Sequence, residues 1–186
     1  MINAETIYMP TVTEENYQWA LPVDDDDFEV LHTVGTRALV DVWRPVRMKI
    51  IRFDKLLVLR HAFLPWCMDN LIVMRDEAID KVGPVLAPHG VILPLECKGA
   101  RLALFTAPPV EGVLDLEQSG RVERFSSGRL MRVFSPVFNL GVLGDRQAFM
   151  LAEFPRCGLC LTGRLVEEVL ATGMTKGTVF EVPKWI

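Results

Sequence analysis

Two cysteines lie at the spacing that redox proteins use, and they are the first candidates for chemistry in this chain. Cys157 and Cys160 form a CxxC pair. In a redox protein such a pair stands at the start of a helix, where the helix dipole lowers the pKa of the thiol. Here the pair leads into the strand-like segment 159–161, so we expect Cys160 to point into the core. A zinc site would need two further ligands, and Cys67 and Cys97 have no His or Cys at ligand spacing.

The other residue types that carry catalysis are scattered along the chain. The three histidines, His32, His61 and His89, lie in different segments and match no HxxH or HExxH spacing. No serine lies in the GxSxG turn that a hydrolase nucleophile requires. Gly141 and Gly144 lack the lysine and the helix of a phosphate-binding loop. The residues therefore indicate no catalytic set, no cofactor and no metal, and they favour a protein that is not an enzyme.

The first 36 residues form an acidic segment, which we call the acidic strap. It holds eight Asp and Glu residues and no Lys or Arg, which leaves 16 acids against 20 bases in the rest of the chain. Its candidate partner-binding residues are Asp24, Asp25, Asp26, Asp27 and Glu29. Between Arg37 and Arg60 the balance reverses, with seven bases against two acids. Two interpretations stay open: the strap and this basic stretch neutralise one another or face solvent, or they present a charged surface to a protein partner.

A second basic group follows in the later part of the chain, consisting of Arg121, Arg124, Arg129 and Arg132. Arginines at such spacing could contact nucleic-acid phosphates. However, Phe125 is the one aromatic residue interleaved with them, and the chain has a net charge of −4 and a pI near 5.4. We therefore expect these arginines to be solvated loop charge, and we expect no nucleic-acid partner.

No part of the sequence predicts export or a membrane span. Residues 1–10 lack the basic start and apolar core of a secretory signal. The apolar stretch 62–68 is interrupted by Pro65 and is far shorter than the roughly 18 residues that a membrane helix requires. We therefore expect a cytoplasmic protein without a membrane partner, whose four cysteines are reduced thiols.

The elements that would position these residues follow a pattern that is repeated within the chain. Residues 71–95 and 159–183 align without a gap at a constant offset of 88 residues. The aligned apolar pairs include Leu71 with Leu159, Val73 with Leu161, Val82 with Leu170, Leu86 with Met174 and Val91 with Val179. Each copy is typical of a strand, a helix of about three turns and a second strand. The pattern leaves open whether the two strands of a copy pair with one another.

The helix of each copy has recognisable ends. In the first copy it is predicted over about 75–86, with Arg75 and Asp76 off the buried face and with Pro84 breaking the last turn. In the second copy the assigned residues are the N-cap Thr162, the buried Val166, Val169 and Leu170, and the terminal Gly173. These assignments place both helices on an apolar face of the sheet.

Strand candidates outnumber helices in the rest of the chain. They cover residues 46–53, 56–59, 101–106, 130–134 and 148–151. The predicted class is therefore α+β, with a mixed or antiparallel sheet, two strand–helix–strand repeats at about 71–95 and 159–183, and the helices on one face. The predicted organisation is an acidic strap, 1–36, followed by a single α+β domain, 37–186.

Five segments resemble, in order, the motifs of one known family. They are Trp19 to Pro22 with Asp24, the strand after Pro45 that runs to Phe53, the block 71–95, the Asp-x-x-x-Ser motif from Asp115 to Ser119, and the closing block 158–180. The sequence thereby resembles the immunity proteins of bacterial polymorphic toxin systems whose founding member is myxobacterial, a family first catalogued as a domain of unknown function. It departs from that pattern at Met74, where a hydroxyl residue is usual, and at Met150, where an arginine is usual.

The resemblance implies a non-enzymatic immunity protein that binds and neutralises a cognate protein toxin made by the same cell. It implies direct contact as the mechanism, and the acidic residues 24–27 are the first candidate contact if the toxin presents a basic nucleic-acid-binding cleft. The alternative is a regulatory or scaffold protein of the same fold that binds another intracellular protein.

Overall fold

Alternating and continuous apolar runs build two five-stranded sheets in this protein. The computed structural model describes residues 2–13, 15–35, 40–68 and 71–186. It has the predicted α+β architecture. Both sheets are mixed, because each contains a parallel pair of strands beside antiparallel pairs.

The first sheet joins the N-terminal strand to strands from the C-terminal third of the chain. From edge to edge it contains β16 (Thr178–Glu181), β1 (Ile7–Val12), β15 (Leu159–Thr162), β14 (Ala148–Leu151) and β9 (Pro109–Val110). Strand β1 is antiparallel to both of its neighbours, and β9 is parallel to β14. Part of the acidic strap is therefore an interior strand of this sheet.

The second sheet is built from the middle of the chain. From edge to edge it contains β2 (Trp19–Pro22), β3 (Arg47–Ile51), β7 (Val91–Cys97), β8 (Leu102–Thr106) and β6 (Ile72–Arg75). Strand β2 also comes from the acidic strap and pairs with β3, with Trp19 opposite Ile51. The Trp19 ring meets the edge of Trp66 at a centroid distance of 6.1 Å, which anchors the strap there. The predicted boundary at residue 36 lies outside the described residues.

Three two-stranded pairs lie outside these sheets. They are β4 (Phe53–Asp54) with β5 (Leu57–Val58), β10 (Leu114–Asp115) with β13 (Val137–Phe138), and β11 (Val122–Arg124) with β12 (Leu130–Val133). The helices with described bounds are α1 (Asp27–His32), α2 (Glu77–Lys81), α3 (Gly83–Leu86) and α4 (Gly163–Ala171). Among the described residues, no helix is long and apolar enough to cross a bilayer.

The predicted helix over 75–86 is two short helices instead of one. The break between α2 and α3 confirms the effect expected of Pro84, which lies in the first turn of α3, where its missing N–H is not needed. Arg75 was predicted to lie on the helix, and this is wrong. It is the last residue of β6 and is only 8% exposed, because the strand runs two residues further than the apolar pattern indicated.

The second predicted helix begins where its cap indicated. The hydroxyl of Thr162 accepts a hydrogen bond from the N–H of Leu165, which confirms Thr162 as the N-cap. The assignment of Leu170 to the buried face is wrong, since Leu170 is 40% exposed and Leu165 is buried instead. At 3.6 residues per turn, Leu165, Val166 and Val169 span one arc of the helix, and Leu170 falls beyond its edge.

The two strand–helix–strand segments have the same order of strands within their sheets. Strands β6 and β7 point the same way, with the antiparallel β8 between them. Strands β15 and β16 also point the same way, with the antiparallel β1 between them. The two strands of a segment are therefore not neighbours, since a third strand from elsewhere in the chain separates them.

Three apolar clusters hold these layers together. The first combines α2, α3 and α4 with one face of each five-stranded sheet, and Phe105 and Leu161 are fully buried in it. The second lies on the other face of the second sheet and includes Leu31 of α1. The third lies on the other face of the first sheet, beneath the small strand pairs, and includes Phe149. Each large sheet is therefore covered on both faces.

Candidate functional site

The predicted partner-binding residues lie on the turn between β2 and α1 and on the first turn of α1. We call this group, Asp24, Asp25, Asp26, Asp27 and Glu29, the acidic surface. The turn is hydrogen-bonded, since the N–H of Asp27 donates to the Asp24 carbonyl and the N–H of Phe28 donates to the Asp25 carbonyl, each at 3.2 Å. Four of the five side chains are exposed, and Asp27 is half-buried. The chain therefore presents these carboxylates from an ordered turn.

A neighbouring strand neutralises one end of the acidic surface. The guanidinium of Arg47, on β3, donates to the Asp24 carboxylate at 2.6 Å. This hydrogen bond and the charge of Asp24 raise the pKa of Arg47 above its usual value. Both side chains are largely exposed, so the pair adds little stability because water screens it. Its main effect is to fix the turn against β3.

A second ion pair joins the acidic strap to the basic stretch. The guanidinium of Arg60 contacts the Glu15 carboxylate and lies 4.3 Å above the ring centroid of Tyr17. Among the described residues, the mutual neutralisation considered for the strap and the basic stretch is seen between Arg47 and Asp24 and between Arg60 and Glu15. Arg37, the first base of that stretch, lies outside the described residues.

The exposed carboxylates of Asp25 and Asp26 are the part of the acidic surface that could contact a basic group of a partner. Both side chains are exposed, and no basic group within the described ranges lies at ion-pair distance from either of them. Acidic residues at the beginning of a helix also have a structural explanation, because the first N–H groups of the helix favour negative charge. That explanation accounts for Asp27 and Glu29 in the first turn of α1 and extends to Asp26, the N-cap, although the Asp26 side chain makes no capping hydrogen bond. It does not account for Asp25, which precedes the cap.

An apolar groove continues from the acidic surface. Its volume is about 460 Å³, and it is lined by Asp27, Val30, Val42, Trp43, Arg44, Pro45 and Val46. Val42 is 68% exposed, which is unusual for an aliphatic side chain in a folded protein. The indole N–H of Trp43 donates to the Pro94 carbonyl at 2.9 Å, so the ring is held in place. A charged rim beside an apolar floor is typical of a protein-binding surface.

A larger groove lies where the chain passes from β8 of the second sheet to β9 of the first. Its volume is about 920 Å³, and its polar lining side chains are His89, Thr106, Asp145 and Arg146. Thr106 is buried, with its hydroxyl 3.5 Å from the sulfur of Met150. Within the described part of the chain, His89, Asp145 and Arg146 form no hydrogen bond or ion pair with one another. Among the described residues of this groove, His89, Asp145 and Arg146 are thus not paired for proton transfer.

The CxxC cysteines are buried and close together, and Cys160 points into the core as predicted. Cys157 and Cys160 are 4% and 0% exposed. A hydrogen bond between the two thiols, together with burial, raises the pKa of Cys157 well above its ordinary value. A catalytic cysteine needs the opposite shift, because the thiolate is the nucleophile. In the described residues, no group of three or more His, Cys, Asp or Glu side chains could hold a metal ion.

This burial predicts the reactivity of the thiols. With a disulfide reagent such as dithionitrobenzoate at pH 8, we expect Cys97 to react first. It is half-buried, whereas the other three cysteines are buried. Cys157 and Cys160 should react only when the protein unfolds, because both thiols are buried and the pKa of Cys157 is raised. The Cys97→Ser variant serves as the control and should lose the fast phase. Rapid labelling of Cys157 or Cys160 near pH 6 in the folded protein would contradict this assignment.

The structure also assembles a polar cluster that the sequence did not indicate. Arg75 donates to the Gln18 side chain at 2.6 Å and to the Asp76 carboxylate at 3.0 Å. The other Asp76 oxygen accepts from the N–H of Arg101 at 2.9 Å, and Arg101 also pairs with Asp80 at 2.5 Å. Asp76 has a φ of +48°, which is strained for a residue with a side chain. Because Arg75 binds both Gln18 of the strap and Asp76 next to β6, we interpret the cluster as a clamp between the strap and the second sheet.

The sequence matches no protein-family model and no curated protein. The family resemblance therefore depends on the five quoted segments, and the function has to be argued from the surfaces described above.

Proposed function

We propose that this protein acts by binding another protein, and that the acidic surface makes the contact. The observation that carries this proposal is the pair Asp25 and Asp26, which are exposed and lack a described cation. The paired strands β2 and β3 hold the turn, and the N–H of Val23 donates to the Arg47 carbonyl at 2.9 Å. A rigid charged turn beside an apolar groove loses little conformational freedom when it binds.

We propose that the partner is a cognate toxin and that the protein is its immunity protein. The five segments that resemble the immunity family support this proposal. In this mechanism the carboxylates occupy a basic cleft of the toxin and prevent its substrate from entering. Complementary charge also speeds association, which suits an inhibitor that must act before the toxin does damage. The proposal places the interaction in the cytoplasm.

We propose in addition that the segments 71–95 and 159–183 are copies of one ancestral unit with their helices on a shared face. The matching strand orders, β7-β8-β6 and β16-β1-β15, support the duplication. The first apolar cluster, which contains residues of α2, α3 and α4 together, supports the shared face. Two similar units joined through one core form a rigid platform for the loops and turns at the surface.

The first test identifies the partner and asks whether it is toxic. The purified protein is used to capture proteins from the cells that produce it, and mass spectrometry identifies them. The captured protein is then expressed in a laboratory bacterial host, with and without the present chain. Arrested growth that co-expression restores supports immunity. A captured partner that does not affect growth supports the regulatory or scaffold alternative.

The second test measures the contribution of the acidic surface to binding of that partner. We expect the double variant Asp25→Asn/Asp26→Asn to weaken binding about tenfold in 50 mM salt and much less in 500 mM salt, because salt screens exposed charges. Isothermal titration calorimetry at both salt concentrations gives the affinities. The control variant Glu117→Gln/Glu167→Gln removes two exposed carboxylates elsewhere and should bind like the unaltered protein. Equal affinities of all three proteins at low salt would remove the acidic surface from the mechanism.

A further inference from the structure

We infer that the protein has a second docking surface, which binds an acidic segment of a partner protein. We call it the arginine–aromatic surface, and its members are Arg121, Arg132, Phe134, Lys184 and Trp185. It is built from β12, the residues next to β11 and β12, and the last residues of the chain. The acidic surface lies on the turn between β2 and α1 and on the first turn of α1. The two surfaces are therefore built from different residues, and this inference goes beyond the function proposed above.

The C-terminal residues are held against β12 like an added strand. The N–H and carbonyl groups of Val133 and Ile186 exchange two hydrogen bonds, of 2.8 and 2.9 Å. The N–H of Ser135 donates to the Lys184 carbonyl at 2.8 Å, and Phe134 and Trp185 form an antiparallel bridge. Ile186 is buried in the third apolar cluster. Trp185 is therefore fixed in place, although 59% of it is exposed.

Aromatic rings hold the two arginines in defined positions. The guanidinium carbon of Arg132 lies 5.0 Å from the Trp185 ring centroid and 5.7 Å from that of Phe134. The guanidinium carbon of Arg121 lies 4.6 Å from the Phe134 centroid. A guanidinium over a ring still directs its N–H groups outward, and their planar fork fits a carboxylate. Positioning in advance reduces the entropy that binding would otherwise cost.

The two arginines differ in whether they already form an ion pair within the described part of the protein. Arg121 forms an ion pair with Glu123 at 2.8 Å. For Arg132, no carboxylate in the described ranges lies at ion-pair distance. Arg132 is exposed and contacts two rings, so it can bind a carboxylate from outside the molecule without giving up an internal ion pair. It is therefore the centre of the proposed contact.

A groove beside Arg132 provides the apolar part of the surface. Its volume is about 500 Å³, and its lining includes Trp66, Met131, Arg132, Val182, Lys184 and Trp185. Met131 is 42% exposed and Val182 is 52% exposed. Trp, Met and Arg are enriched at protein interfaces, and exposed apolar residues that lie together mark a binding site. The groove can accept an apolar side chain next to the carboxylate that Arg132 binds.

Charge and geometry favour an acidic protein segment over a nucleic acid. The surface and its surroundings are locally basic, whereas the chain as a whole carries −4, which opposes the approach of a long polyanion. The local charges are Arg121, Arg124, Arg129, Arg132 and Lys184 against Glu123 and Glu181. Arg121 and Arg132 also occupy space over the Phe134 ring that stacked bases would need. A short segment with a few carboxylates and one apolar side chain satisfies both parts of the surface.

Fluorescence anisotropy with three labelled probes, each of ten residues or nucleotides, tests this inference. The probes are a ten-residue peptide with four Glu around a central Leu, the same peptide with Gln in place of Glu, and a ten-nucleotide oligothymidylate. In 50 mM salt we expect the Glu peptide to bind at least tenfold more tightly than the other two. Tighter binding of the oligothymidylate would overturn the inference in favour of a nucleic acid, and equal binding of the two peptides would also overturn it.

Variants then locate the binding. Arg121→Gln/Arg132→Gln should weaken binding of the Glu peptide at least tenfold, and Trp185→Ala should weaken it without changing the charge. The control Arg146→Gln/Arg164→Gln removes two exposed charges elsewhere and should leave binding within twofold, as should Asp25→Asn/Asp26→Asn. Unaltered melting temperatures ensure that the variants are folded. Unchanged binding by the first variant would refute the inference. Analytical sedimentation tests whether the occupant is instead a second copy of this chain. Self-association that is abolished both by Arg121→Gln/Arg132→Gln and by Asp25→Asn/Asp26→Asn would also refute the inference.

Discussion

Replacing Phe105 with alanine should lower the free energy of unfolding by about 3–5 kcal/mol. Phe105 is 0% exposed and lies in the interior strand β8, opposite Ile72 on one side and Ile92 on the other. Its ring belongs to the cluster that joins both sheets to the helices, so the loss leaves a cavity that few neighbours can fill. Urea denaturation followed by circular dichroism measures the change.

An exposed phenylalanine provides the control for this experiment. Phe53 is 63% exposed, so Phe53→Ala should change the free energy of unfolding by less than about 0.5 kcal/mol. A loss of less than about 1 kcal/mol for Phe105→Ala would show that the first cluster is not the main core of the protein.

The same experiment tests whether the two sheets unfold together. The acidic strap supplies β1 to the first sheet and β2 to the second, so neither sheet is formed from one continuous part of the chain. Phe149→Ala, in the third cluster, should therefore shift the same single transition that Phe105→Ala shifts. Two separate transitions, each sensitive to one variant, would mean that the sheets are independent units.

Replacing Gly163 with alanine should lower the free energy of unfolding by about 1–3 kcal/mol. A Cβ at this position would lie 1.9 Å from the Asn3 carbonyl oxygen, and the N–H of Gly163 donates to the Thr6 carbonyl at 2.8 Å. The obstacle is backbone and not the end of a flexible side chain. Residues 3–6 must therefore move away from the start of α4. Thermal unfolding gives the loss of stability, and hydrogen exchange should show faster exchange in β1.

Gly141→Ala is the matched control for this substitution. A Cβ at Gly141 would meet its nearest neighbour, the Asn139 side-chain oxygen, at 3.4 Å, which is an ordinary contact. We expect its stability to stay within about 0.5 kcal/mol of the unaltered protein. If Gly163→Ala behaved like this control, the N-terminal segment would not be packed against α4 as described.

The sequence indicated which acidic residues form the candidate site, but not which of them form ion pairs. The run Asp24 to Asp27 identified the acidic surface directly, because four adjacent carboxylates between a strand and a helix cannot all be buried. That Asp24 is bound by Arg47 while Asp25 and Asp26 are not depends on the register of β2 against β3. Similarly, the sequence indicated solvated charge at Arg132, whereas the fold places its guanidinium against the rings of Phe134 and Trp185, which the C-terminal segment brings together.

The sequence by itself determined the α+β class, the positions of most strands, the Thr162 cap and the break at Pro84, because these depend on residues a few positions apart. Tertiary structure alone decided that β8 and β1 separate the strands of the two similar segments, and that Arg75 ends a strand and is clamped by Gln18. Strand order and ion pairing join residues that are distant in the chain. Their partners are chosen by the packing of the whole core, which no local pattern of residues records.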